Sequence, residues 1–511
     1  MQHSGITQSF WMATSARPQF APLTTNLTTD VVIVGGGIAG LTTAYLLSRA
    51  GRSVVVLESG PIASGETERT TAHLANAMDD RFVELERIHG LRGAQLAAES
   101  HGAAINRIEE IVRTENIQCG FQRLDAYLFA PPGAAHPLLE AELAAARRAG
   151  LADASLVAAA PLPHFNTGVA IRFRNQAQFN PLLYLSALSE AILRQDGRIF
   201  ELTHVTSAEG GDRARVRTAS GNTVSAQSLV IATNSPINDR IVLHTKQAAY
   251  RTYAIAASLA GKGVPKALYW DTADPYHYVR LSEDTAGNET LIAGGEDHRT
   301  GQGVDAVERY ARLEKWTRER FPIGNVTFRW SGQVLEPVDC LGFIGRNPMD
   351  HDNVYVVTGD SGQGMTHGTL AGMILTDLIS GRSNRWAALY DPARKSGGKD
   401  VTEFVKDGMN ITLQYAKWLT PGEVPDETAI SPGNGAILRR GASKIAVYRD
   451  EHGNFHECSA VCPHLSGIVS WNPAEKSWDC PVHGSRFDAF GKLINGPAKS
   501  DLQPLQLAAH K

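Results

Sequence analysis

Cysteine is scarce in this chain. Five occur among 511 residues, at positions 119, 340, 458, 462 and 480. So odd and sparse a set makes no disulfide framework and fits a reducing compartment, so the cytoplasm is the expected location. Long apolar runs are also missing. None reaches the roughly 18–20 residues of a membrane span, so no membrane span is expected. Met1 to Thr29 lacks the basic and apolar regions of a secretory signal and reads as an N-terminal extension wrapping the surface. Nor does one sign of charge dominate. Lys and Arg number 49 against 53 Asp and Glu, for a net charge of -4. That argues against nucleic acid or an anionic membrane as a partner. What is present is an ordinary globular composition, 43% hydrophobic and 20% charged, with room for two or three domains.

The strongest early signal is Val31-Val32-Ile33-Val34 followed by Gly35-Gly36-Gly37-Ile38-Ala39-Gly40. The β-branched run reads as a buried parallel strand. Gly35, Gly37 and Gly40 fit G-x-G-x-x-G, and Leu41 to Leu47 continues as a helix. The first glycine turns the chain, the second lets backbone approach a pyrophosphate, and the third lets helix pack on strand. Ile38 and Ala39 would then offer the helix amino end to the phosphates. A second strand, Ser53 to Leu57, ends in Glu58, placed to bond a ribose hydroxyl. The motif itself leaves FAD and NAD both open.

Further along, Arg81 to Asn116 reads as helical and Gln118 to Ala130 as strand-like. Leu138 to Gly150 reads as a helix ended by its glycine. A helix runs from Phe179 to about Gln195, and Ser228 to Asn234 is another apolar strand ending in small residues, which brings Ala232 and Thr233 toward a dinucleotide. Tyr276 to Arg280 alternates, so Tyr276, Tyr278 and Arg280 share a strand face. Arg280 suits either a bidentate grip on a substrate carboxylate or a structural ion pair. With Tyr278 and His277 it forms the set of substrate-site candidates. Asn353 to Gly368 is a strand and Gly-rich corner opening a helix over Leu370 to Ile379. Val401–Leu419 reads as an amphipathic helix, and Pro421–Gly435 as a linker.

These motifs, in this order, resemble the FAD-dependent D-amino-acid oxidase/glycine oxidase superfamily. The resemblance rests on the dinucleotide unit, the Ser64 to His73 loop, the Trp330-x-Gly332 and Pro337 to Gly345 stretch, and the Gly359–Gly368 corner. It implies FAD. It places Thr67, Arg69, Thr70 and Thr71 over the flavin, and Gly359, Asp360, Gly362, Gly364 and Met365 beside it. The helix after that corner would set its positive end against the flavin ring. Cys340 stands where glycine is usual in this family and reads as a small buried residue.

Near the C-terminus, Cys462-Pro-His464 and Cys480-Pro-Val-His483 are separated by fifteen residues. Two Cys and two His in this spacing suit zinc or a Rieske [2Fe–2S] cluster. The flanks Gly484 to Asp488, Gly491 and Gly496-Pro497 resemble the Rieske domain, with no helix of the zinc-finger kind. Cys462 and Cys480 would bind one iron, and His464 and His483 the other. High-potential Rieske proteins carry two more cysteines, and the matching positions here are Gly467 and Val482, which implies the lower-potential type. Cys458 reads as a spare core thiol.

The expected architecture is an α/β Rossmann-like FAD-binding domain with an interleaved α+β substrate subdomain, plus an all-β Rieske domain. Its divisions are an extension (1–29), an oxidoreductase domain (30–395), a helix and linker (396–432) and a Rieske domain (433–511). Within the second, the FAD part covers roughly 30–115, 165–245 and 335–385, and the substrate part 116–164 and 246–334. The expected activity is oxidation of a small amine or amino-acid-like substrate, with single electrons relayed through the cluster to a redox partner. Two alternatives stand beside it: a reductase feeding a separate oxygenase, and a cluster that only senses redox state or stabilises the fold. No second G-x-G-x-x-G and no His/His/carboxylate iron motif support the reductase.

Overall fold

A computed structural model describes residues 5–131, 133, 137–238, 243–261, 263–283, 287–303, 305–395, 410 and 413–505. Most of the helix expected over Val401–Leu419 lies outside the described residues.

The opening strand, Leu27–Val34, sits inside an eight-stranded sheet. Its parallel neighbours are Val54–Leu57 and Thr223–Ile231, with Val34 paired to both Leu57 and Ile231. Val354–Thr358 and Arg198–Phe200 extend the parallel set on either side. Val31 and Ile33 enter one apolar cluster while Val32 and Val34 enter another, as expected of a strand covered on both faces. Two helices, Ile38–Arg49 and Gly364–Ile379, pack together on one face. Gly368 and Gly372 make that contact possible. A Cβ on Gly372 would stand 3.0 Å from the Thr42 and Thr43 backbone, and one on Gly368 3.1 Å from Ala39 N.

A second sheet of nine strands includes Gln247–Leu259, His277–Glu283, Glu289–Arg299 and Ile323–Pro337. Its chain segments alternate with those of the first sheet, so the two units are interleaved. The C-terminal part is all β: antiparallel sheets of three strands (from Asn434–Arg440) and four strands (ending at Leu493–Asn495). Among the described residues no helix is long and apolar enough to cross a membrane.

The N-terminal extension departs from expectation. It does not merely wrap the surface. Ser9, Phe10 and Trp11 are buried, the Ser9 hydroxyl donates to the Glu68 carbonyl, and Trp11 Nε1 donates to the Thr70 carbonyl at 2.6 Å. The reason is the indole: a Trp that finds a carbonyl for its N–H is more stable inside than in water.

Candidate functional site: a dinucleotide cleft sharing a wall with a Cys/His ligand pair

A cleft of about 1060 Å³ opens at the carboxyl ends of the parallel strands, where open α/β sheets take ligands. Gly35, Gly37, Ile38, Ala39, Glu58, Thr67, Arg69, Thr70, Thr71, Ala232, Thr233, Gly359, Asp360, Gly362, Gly364 and Met365 all line it. Gly40 lies beneath, where a Cβ would overlap the Gly35 carbonyl oxygen. Gly35 itself has φ +110°, and a Cβ there would overlap the Ala232 carbonyl oxygen. The cradle is therefore one that only glycine leaves open. Gly37 caps the first helix without a side-chain acceptor, and Gln363 does the same for the second. Two helix amino ends thus face one cleft and favour a ligand with negative charge. Glu58 Oε2 accepts from Gly36 N at 2.7 Å at the acidic end. These residues fit a bound FAD.

The loop over this cleft is tied to the C-terminal part of the chain. Glu66 accepts from Asn495 Nδ2 at 2.9 Å and from Gln333 N at 2.5 Å. The Arg69 guanidinium is turned away from the cleft. It donates to the carbonyls of Gly5, Thr7 and Ser331 and pairs with Glu475 at 3.3 Å. Arg251 also pairs with Glu475, at 3.4 Å. Burial favours the neutral Glu475 carboxyl, but Arg69, Arg251 and Arg486 outweigh it and hold the carboxyl below its usual range. Residues 492–496 and 498–501 complete the cleft wall.

The three substrate-site candidates separate. Tyr278 lines the cleft, its hydroxyl 3.0 Å from Thr252 Oγ1 and its ring lying where any Cβ on Gly294 would be. Arg280 shares that strand face but is covered. Its Nη1 donates to the carbonyls of Thr71, Ala72 and Phe179, and its guanidinium lies 5.2 Å from the Trp11 ring. Of its two sequence readings the structural one describes this geometry, with backbone carbonyls in place of an acid. His277 points to the opposite face, as strand alternation demands, and stacks on Trp316 at 4.4 Å beside Asp271 and Glu296. Tyr276 and Asp79, joined by a 3.1 Å hydrogen bond, stand on the cleft wall instead.

In the C-terminal part, the four ligand candidates converge from two loops as a pair of thiols and a pair of imidazoles. Cys480 hydrogen-bonds Cys462. That bond, with the His464 and Leu465 amides and the Ser485 hydroxyl, lowers the Cys462 thiol and at the same time raises that of Cys480. The His464 and His483 rings are 5.0 Å apart. Burial, then the neighbouring imidazoles His464 and His244, lowers His483 to about 3 and keeps it neutral, and its Nδ1 has no hydrogen-bond partner in the protein. A cluster of two irons divides its ligands two and two, which this donor set fits. Gly467 and Val482 face each other, a Cβ on the glycine reaching Val482 Cγ2 at 2.5 Å. Cys458 is buried against Gly491.

The second ligand loop rests directly on the nine-stranded sheet. Gln333, which lines the cleft, donates to the Gly484 carbonyl at 3.1 Å, and Gln302 donates to that of Pro481 at 3.3 Å. Gly484 must be glycine, since its φ is +78° and a Cβ would overlap that of Ala249. Gln333, Glu475 and His244 carry no motif, and no signal in the sequence distinguished them.

Two family models match the chain. The family model for FAD dependent oxidoreductases matches residues 30–378, and that for the Rieske [2Fe-2S] domain matches residues 421–506. YhfW of Bacillus subtilis (strain 168), named as a Rieske 2Fe-2S iron-sulfur protein, is 31% identical over 98% of both chains. Gamma-glutamylputrescine oxidoreductase of Escherichia coli (strain K12) is 28% identical over 75% of this chain and 91% of its own. Glycine oxidase from Geobacillus kaustophilus shares the fold with a TM-score of 0.61 at 18% identity, covering 73% of this chain and 100% of that one.

Proposed function

Because the chain belongs to the FAD dependent oxidoreductase family and carries a Rieske [2Fe-2S] domain behind it, we propose that it oxidises a C–N bond of a small amine or amino-acid-like substrate and relays the electrons through its cluster to a redox partner. One observation carries the relay: Gln333 both lines the cleft and hydrogen-bonds the loop of His483. The Escherichia coli relative, named for an amine substrate, supports the C–N reading.

When bound, a flavin would supply a two-electron acceptor and the cluster a one-electron carrier. The chain's own part is to hold and to exclude. Gly35, Gly37 and Glu58 would hold the dinucleotide, with the loop from Thr67 to Thr71 above it. Cys462, His464, Cys480 and His483 would hold the cluster. Tyr276, Tyr278 and Asp79 wall the substrate side, where position and dryness assist a reaction that needs no protein base. We infer units 30–395 and 433–511 for these two tasks, and a cytoplasmic location from the five unpaired cysteines.

The test is anaerobic mixing with a panel of amines and amino acids, following flavin bleaching and the cluster by EPR. The expected result is bleaching by at least one amine with matching cluster reduction. A cluster that stays oxidised beside fully reduced flavin removes the relay, and faster bleaching by NAD(P)H than by any amine reverses the direction of flow.

A further inference from the structure

Of the two cluster imidazoles, His483 is buried and His464 half-buried. The ring packed against His483 comes from the oxidoreductase part of the chain. That ring is His244, itself buried, on a short 3-10 turn over His244–Lys246. Its centroid lies 5.0 Å from His464 at an interplanar angle of 80°, and 6.1 Å from His483 at 56°. With the 5.0 Å between the two ligand rings, the three imidazoles form a compact triangle. The turn leads straight into Gln247, whose Nε2 donates to Thr358 Oγ1 at 3.2 Å on the cleft wall. His244 is therefore three residues from a side chain bonded to the wall of the dinucleotide cleft, and in ring contact with both cluster histidines.

We propose that His244 is a positioning residue for the cluster, the group by which the oxidoreductase part fixes the His464 and His483 rings and sets the electronic environment of their iron. Groups packed on metal-bound imidazoles orient them and tune the metal. Solvent exclusion at the histidine edge is a further control on potential. On this assignment electrons from the same chain enter the cluster at its histidine edge.

The assignment rests on the cluster-and-relay reading above, and its test separates the two. Full-length holoprotein with His244→Ala or His244→Phe is compared with wild type for iron content, EPR g-values, midpoint potential by dye-mediated titration, and rate of cluster reduction after photoreduction of the flavin. The expected result for His244→Ala is retained iron, displaced g-values and potential, and transfer slowed about tenfold or more, the usual loss when an orienting group is removed. His244→Phe, which keeps the ring contact, recovers most of the transfer rate while the potential stays displaced. If His244→Ala fails to take up iron, His244→Phe decides by its potential. Unchanged g-values, potential and transfer rate in the iron-loaded variants overturn the assignment while leaving the relay intact. A wild-type cluster that the flavin never reduces overturns the relay instead.

Discussion

Gly35 shows how much one missing methyl group decides. Its φ of +110° and the Ala232 carbonyl against its Cα leave no space for a Cβ. Gly35→Ala is expected to cost about 1–3 kcal/mol in strain and overlap and to lower flavin content in the purified protein, read as the ratio of flavin to protein absorbance. Full flavin occupancy in a normally stable variant would contradict the cradle. This feature is legible in sequence because it is local: strand, turn and helix follow within ten residues. Arg280 is the contrast. Alternation places it on the same face as Tyr278, but only the folded chain shows that Thr71, Ala72 and Phe179 cover it with carbonyls. His277 lost its place in the substrate site for a simpler reason, since it occupies the other strand face.

Among the elements, the two helices that point at the cleft depend on each other. Gly372 touches the backbone of Thr42 and Thr43, four residues on from Gly368 and on the same face. Gly372→Val would drive the helices apart, at a cost of about 1–3 kcal/mol. Its expected signature is a lowered urea midpoint together with weaker flavin retention, because both helix amino ends would move. A variant with unchanged midpoint would show that the helices can slide freely. The Ser64–Thr71 loop is the second informative element. Its polar residues suggest a cover for the flavin, and they do line the cleft. Yet its two charged contacts, Glu66 to Asn495 and Arg69 to Glu475, reach across to the cluster domain.

Over the whole molecule, that reach makes the cluster domain a wall of the flavin cleft rather than an appendage. Glu475 is its anchor, buried between Arg69 and Arg251 and touching Thr7 of the N-terminal extension. Glu475→Gln would leave two guanidinium groups short of their counter-charge, with an expected loss of about 3–5 kcal/mol at neutral pH. The pH dependence has a definite sign. The folded carboxyl is held below its usual 4.5, so its stabilisation is complete above that pH and fades as pH falls through the lower folded value. Melting curves of wild type and Glu475→Gln should differ most near neutrality and converge in acid. A constant difference down to acid pH would show that the charge is not the source.

Local sequence determined the cofactor chemistry of this protein. A strand followed by Gly-x-Gly, and Cys and His at short fixed spacings, carry their meaning within a few residues, since the backbone turn and the donor set are properties of the segment itself. The tertiary structure decided which surfaces those segments meet. Arg69 and Glu475 are 406 positions apart, and His244 reaches the cluster histidines from another unit of the fold. No periodicity or motif encodes such pairings, because they arise only when separately folded faces are brought together and buried charges and rings must find partners. The chemistry at each end was legible residue by residue, and the junction between the ends came from packing.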